Sequence, residues 1–201
     1  MIHIFEQGKK DAPTFLLLHG TGGNEHSLLN IAKSIAPDAS ILSVRGDVLE
    51  NGMPRFFRRL AEGVFDEEDL IYRTKQLHQF LDDSAGQYGF DRNNIIAIGY
   101  SNGANIAASL LFHHANSLKG AILFHPMVPR RGIELPSLQS VQVFIGAGKN
   151  DPLCPLEESV DLSNLLQEAG ATVELHWENN GHQLSYTEIQ TATEWLKRTY
   201  L

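Results

Sequence analysis

The chain has 201 residues, 42% of them apolar and 20% charged. At about 150 residues per domain this fits one domain spanning 1–201, large enough to bury a core without covalent staples. The single cysteine, Cys154, excludes an internal disulfide framework, and 24 acids against 16 bases, a net charge of −8, disfavour binding to nucleic acid.

Apolar runs such as 15–18 fall far short of the about 20 residues that cross a bilayer. Glu6 ahead of that run, and Asp11 behind Lys9 and Lys10, do not resemble a secretory leader. A soluble, cytoplasmic protein with no membrane partner is expected.

In chain order, short apolar runs alternate with amphipathic stretches, with no repeat and no linker. Strands are expected at 14–19, 40–44, 94–100, 120–124, 141–145 and 172–177. Phe15-Leu16-Leu17-Leu18 and Ile95-Ile96-Ala97-Ile98 are apolar on successive residues, as in strands covered on both faces. In the last run Val173, Leu175 and Trp177 alternate with Glu174, His176 and Glu178, which suits a strand near the sheet edge with one wetter face.

Helices fill the gaps. Leu70, Leu77 and Leu81 form a stripe that Gly86 or Gly89 can end. Ala104, Ala107, Ala108 and Leu111 follow helical spacing with small side chains, so that helix can lie close to the sheet. Pro155 with Glu157 and Glu158 marks another start, and Ser185-Tyr186-Thr187-Glu188 fits a capping box before Ile189, Ala192 and Leu196, with Lys197 and Arg198 at the favourable end. Such alternation predicts an α/β fold: a mostly parallel central sheet with helices on both faces and no separate lid domain.

Segment 46–69 is longer than the 2–6 residues usual between strand and helix. It is expected to be functional, as a small cover over the site, or to carry a small helix. Met53, Phe56, Phe57 and Phe65 in it either line an apolar acyl or aryl pocket or anchor the loop to the core. Arg55, Arg58 and Arg59 form the one basic knot, taken as a solvated face.

After the run 94–100 comes Gly99-Tyr100-Ser101-Asn102-Gly103, a G-x-S-x-G sequence between strand and helix. A nucleophilic serine must project from a sharp turn, and glycines two positions either side remove the collisions that turn would cause. Its hydroxyl needs a base. His182 follows the last strand, where ligand sites of α/β sheets gather; His125, which also ends a strand, is the competitor. His3 and His176 lie on strands, His78 on a helix, and His113 and His114 are expected in mid-helix. The acid that orients the imidazole should follow another strand, as Asp151 does, whereas Glu157, Glu158 and Asp161 suit a helix start. The order Ser101, Asp151, His182 is that of α/β-hydrolases.

An oxyanion needs backbone donors. Gly-rich His19-Gly20-Thr21-Gly22-Gly23 offers Thr21, and the residue after the serine offers Asn102. A nucleotide phosphate cradle fits less well, because neither dinucleotide nor P-loop spacing can be written. No metal is expected, since H-E-x-x-H spacing is lacking, and Cys154 in a Pro-flanked loop has no evident base.

The chain resembles the phospholipase/carboxylesterase branch of the α/β-hydrolases, which includes acyl-protein thioesterases. The resemblance runs from His19-Gly20 through the elbow and the stretch 151–155 to Gly181-His182. Ser-Val-Arg-Gly at 43–46, Arg55-Phe56-Phe57-Arg58 and Gly-Tyr-Ser-Asn-Gly-Ala at 99–104 are most similar to small bacterial carboxylesterases associated with hydroquinone and catechol metabolism. Thioesterases usually carry Ser-Gln-Gly-Gly at the elbow, where this chain has Ser101-Asn102-Gly103-Ala104.

The function expected is a serine esterase without cofactor, acting on small to medium soluble esters through an acyl-enzyme. Thioester or lysophospholipid hydrolysis, and a catalytically silent receptor of the same fold, are the alternatives. A small-molecule ester is the expected partner, and the sequence carries no signal of oligomeric state.

Overall fold

The structure, a computed structural model, describes residues 1–200; Leu201 lies outside the described residues. Its elements are β1 (His3–Glu6), β2 (Thr14–Leu18), α1 (Leu29–Ile35), β3 (Ser40–Val44), β4 (Val48–Glu50), β5 (Met53–Arg55), β6 (Arg59–Ala61), β7 (Val64–Phe65), α2 (Glu67–Tyr88), β8 (Ile95–Tyr100), α3 (Asn102–His113), β9 (Gly120–Phe124), β10 (Gln142–Gly148), α4 (Leu156–Glu168), β11 (Thr172–Glu178) and α5 (Tyr186–Tyr200). No helix among the described residues is long and apolar enough to cross a membrane.

Seven strands form one sheet in the order β1-β3-β2-β8-β9-β10-β11, and every pairing is parallel except β1 with β3. The chain steps from β2 outward to β3, then crosses back to β8 and continues the other way. Strand order therefore reverses between β2 and β8, and the loops leaving their carboxyl ends diverge into a crevice, the usual ligand position in such sheets. This is the α/β-hydrolase fold.

Alternate side chains of the central strands feed two cores. Leu16 and Leu18 of β2 join Leu70, Leu77 and Leu81 of α2, the alanines of α3 and Leu162 and Leu166 of α4. Phe15 and Leu17 point the other way, onto Ala32 and Ile35 of α1 and Ala192, Trp195 and Leu196 of α5. Strand β11 is the sheet edge and only partly buried along its length, as its alternation implies.

Helix ends follow side-chain chemistry. Asp66 caps α2 by accepting the Asp69 N–H at 3.1 Å, ahead of three acids in the first turn. Gly89, at φ 74°, ends it; Gly86 lies inside the helix. At α5, Ser185 Oγ accepts the Glu188 N–H at 3.0 Å, while Glu188 reaches back to the Ser185 N–H at 3.4 Å.

Three features depart from the sequence expectations. Strand β1 and helix α1 add to the predicted elements. Segment 46–66 carries no helix; it folds into two hairpins, β4–β5 and β6–β7. Asn51 and Gly52, with φ of 51° and 79°, make the two-residue left-handed turn that right-twisted strands prefer. Finally, His113 and His114 stand at the end of α3 rather than in its middle.

His114 stacks on His78 with ring centroids 4.1 Å apart. Burial, then the neighbouring His78 and His113, pushes its pKa down to about 4. An unfolded histidine titrates near 6.5, so between about pH 6.5 and 4 the unfolded chain binds a proton that the folded one refuses. Stability from this site is full above that window and is lost as pH falls through it. The melting temperature should drop from pH 7 to pH 5, and His114→Phe should flatten the drop; an unchanged slope in thermal melts would show that the stack contributes nothing.

Candidate active site

Ser101 sits between β8 and α3 at φ 52°, ψ −116°, a backbone region that side chains disfavour. Two hydrogen bonds pin it there: its N–H donates to Phe124 O at 2.8 Å, and its carbonyl accepts the Asn105 N–H at 2.9 Å. The flanking glycines are required by contact. A Cβ on Gly99 would lie 2.6 Å from the Gly103 carbonyl oxygen, and one on Gly103 would overlap the Leu18 carbonyl oxygen of β2.

Ser101 Oγ lies 2.8 Å from His182 Nε2, and His182 Nδ1 lies 2.7 Å from Asp151 Oδ2. The carboxylate dictates the tautomer: Nδ1 carries the proton, leaving Nε2 to accept from the serine. Asp151 Oδ1 accepts the N–H groups of Leu153 and Cys154 at 2.8 and 3.0 Å. Burial opposes its charge, but His182 and these amides outweigh burial and hold its carboxyl below the ordinary range. The Tyr100 hydroxyl donates to the His182 carbonyl at 2.6 Å and steadies that loop.

His125 lies behind this chain, at φ 53° beyond β9, and does not reach the serine. Its Nδ1 donates to the same Asp151 Oδ2 at 3.0 Å, and its Nε2 lies 3.4 Å from Glu188 Oε2. All three of these side chains are fully buried. Burial disfavours a charge on His125, but Glu188 and Asp151 outweigh it and raise its pKa. His125, the alternative candidate from the sequence, thus shares the Asp151 carboxylate with His182 and makes no hydrogen bond to Ser101.

The main-chain N–H groups of Thr21 and Asn102 have no partner among the described residues, and both residues line the pocket that holds Ser101. The first hairpin clamps both. Gly22 N–H donates to Pro54 O at 2.9 Å, Arg55 Nη1 donates to Thr21 Oγ1 at 2.7 Å, and Phe56 N–H donates to Asn102 Oδ1 at 2.7 Å. Buried His19 ties the adjoining loops: its Nδ1 donates to Gly20 O, and its Nε2 accepts the Gly46 N–H.

The pocket is about 350 Å³. Phe65 lines it, but Met53, Phe56 and Phe57 do not, which corrects that part of the sequence expectation. Phe56 and Phe57 are core residues, Phe56 against the His19 ring and Phe57 edge-on to Phe65, while Met53 is exposed beside Gly22. In their place the walls carry Arg55, Arg59, Tyr100, Asn105, Met127 and Leu153. The alternation of Arg55 with Phe56 was the available signal, but a three-residue strand does not say which side faces the site.

His125, Asp151 and His182 are the one group of described residues with metal-ligand spacing. Their contacts of 2.7 and 3.0 Å are those of hydrogen bonds; ligands around a zinc ion would stand about 3.4 Å apart at the usual bond lengths. Cys154 is buried and its thiol is pushed up by burial, with Asp151 and Glu158 adding to the effect, so it is held protonated.

A model of the phospholipase/carboxylesterase family matches residues 1–200. The hydrolase MhqD of Bacillus subtilis (strain 168) is 59% identical over 197 residues, covering 98% of each chain. A crystal structure of the Bacillus cereus carboxylesterase superimposes with a TM-score of 0.97 at 63% identity, over 98% of this chain and 94% of that one. YahD, solved with malic acid, superimposes with a TM-score of 0.95 at 35% identity over 98% of both chains.

Proposed function

Because this chain belongs to the phospholipase/carboxylesterase family, hydrolases that act on esters, we propose that it is a serine-dependent carboxylesterase for small to medium soluble esters. The observation that carries this is the unbroken contact from Ser101 Oγ through His182 to Asp151, opening on a pocket with two free backbone donors.

Ser101 Oγ attacks the ester carbonyl as His182 Nε2 takes its proton. Asp151 keeps the imidazole in the accepting tautomer and stabilises the imidazolium. The oxyanion is held by the N–H groups of Thr21 and Asn102, donors worth about 10²–10³ each in turnover. Collapse expels the alcohol, which takes the proton from His182, and water then hydrolyses the acyl-Ser101 by the same base.

The cavity volume of about 350 Å³ is at the small end for ligand sites, and a relative that holds malic acid holds a small, soluble acid. Both favour small water-soluble substrates over lipid. Hydrolysis of p-nitrophenyl esters from acetate to long acyl chains, beside matched thioesters and a lysophospholipid, tests this. Maximal kcat/KM on short or medium oxygen esters is expected; a maximum on thioesters or on lysophospholipid would replace the carboxylesterase assignment. A fluorophosphonate probe should label Ser101 stoichiometrically, and a folded protein that neither labels nor turns over would be a receptor.

A further inference from the structure

We propose that the substrate of this site carries a carboxylate and that Arg55 and Arg59 select it. This rests on the esterase function proposed above and names its substrate class.

The two arginines arrive from different hairpins, Arg55 from β5 and Arg59 from β6, and converge on one wall of the pocket that holds Ser101. They share a single carboxylate. Glu50 Oε2 lies 3.2 Å from Arg55 Nη1, and Glu50 Oε1 lies 2.9 Å from Arg59 Nε. Arg55 is only 4% exposed and is fixed by further bonds, Nε to Phe57 O at 3.2 Å and Nη1 to Thr21 Oγ1 at 2.7 Å.

Those contacts leave Arg55 Nη2 and both terminal nitrogens of Arg59 without a partner among the described residues. Two guanidiniums against one carboxylate leave an unspent positive charge in a chain whose net charge is −8. Arg55 is almost wholly buried, so its charge is poorly hydrated, whereas the Arg59 side chain is 31% exposed and its free nitrogens are open to an incoming anion. The arginines also press on each other: burial, then the nearby Arg59 charge, lowers the pKa of Arg55.

Arg58, the third member of the basic knot, is different. It is largely exposed and paired with Asp66, as a solvated face would be. The other acid at the pocket, Glu62, is exposed and makes no ion pair among the described residues, so solvent screens its repulsion.

A planar guanidinium matches a carboxylate in two-point contact, and such charge-assisted bonds are about twice as strong as neutral ones. Because Arg55 also holds Thr21, the anion would dock beside the oxyanion donors. An ester whose acyl or alcohol part ends in a carboxylate fits this arrangement.

The test compares charged esters with uncharged isosteres. For the alcohol side the pair is 4-acetoxybenzoate and 4-acetoxybenzamide; for the acyl side, monomethyl glutarate and the methyl ester of its monoamide. The readout is the ratio of kcat/KM, charged over neutral, in wild type and in Arg59→Gln. Wild type should favour the charged member of at least one pair by roughly tenfold to a hundredfold, as charge-assisted bonds imply. Arg59→Gln should bring that ratio down by about tenfold or more, and added salt should lower it in wild type.

Ratios near one for both pairs, or a preference that Arg59→Gln leaves in place, would overturn the carboxylate selection. If Ser101→Ala still abolishes hydrolysis of the neutral esters, the esterase function survives that result. A folded wild type that hydrolyses neither pair would overturn both.

Discussion

Ser101→Gly should abolish turnover and at the same time make the protein more stable. Loss of the hydroxyl removes the nucleophile, and serine hydrolases stripped of it lose on the order of 10⁶ in kcat, keeping what the oxyanion donors and binding supply. Stability should move the other way because of the Ser101 backbone at φ 52°, ψ −116°. Strain of that kind costs about 1–3 kcal/mol, and glycine relieves it while losing about 0.5–1 kcal/mol to chain entropy. For a chain of this size each kcal/mol of net gain raises the melting temperature by about 2–4 °C. Ser101→Ala is the control, with the same loss of turnover and no relief of strain. Hydrolysis by Ser101→Gly above a hundredth of wild type would remove Ser101 from the mechanism, and equal melting of the two variants would remove the strain.

Asp151→Asn should reduce kcat by about 10⁴ and also destabilise the fold. The carboxylate accepts four bonds: two from the backbone at Oδ1 and two from imidazoles at Oδ2. An amide has one oxygen. Turned either way, its NH₂ faces two N–H donors, and if these are the imidazoles, His182 is driven to the tautomer that cannot accept from Ser101. Buried donors left without an acceptor cost about 1–3 kcal/mol. A melting temperature unchanged from wild type, or a kcat loss under a hundredfold, would contradict this account of Asp151.

Both effects join residues far apart in the chain, and that divides what could be read from residues alone. Local chemistry determines the strands, the elbow and the helix caps. Four apolar residues in succession, in a run too short for a helix, suit a strand covered on both faces; glycines at 99 and 103 mark a turn that approaches another backbone; serine three places before glutamate closes a cap. The chain order Ser101, Asp151, His182 could likewise be read because each residue follows its own strand.

Tertiary structure decided where neighbours compete. His182 and His125 both end strands, and sheet order alone would favour His125, because β9 adjoins β8 while β11 lies at the edge; it is the loop after β11 that carries His182 back to Ser101, leaving His125 to meet Glu188 from behind. Glu188 is legible as a capping residue, yet its buried carboxylate also reaches His125, and it fits there because Gly146 has no side chain to fill the space. In segment 46–66 the strands are two or three residues long, too short for alternation to define a face. Arg55 turns to the pocket and Phe56 to the core because β4–β5 lies across the loops leaving β2 and β8. A sequence records the period of a strand, but the side it shows to a site depends on what the strand packs against, and in hairpins this short that is set by the rest of the fold.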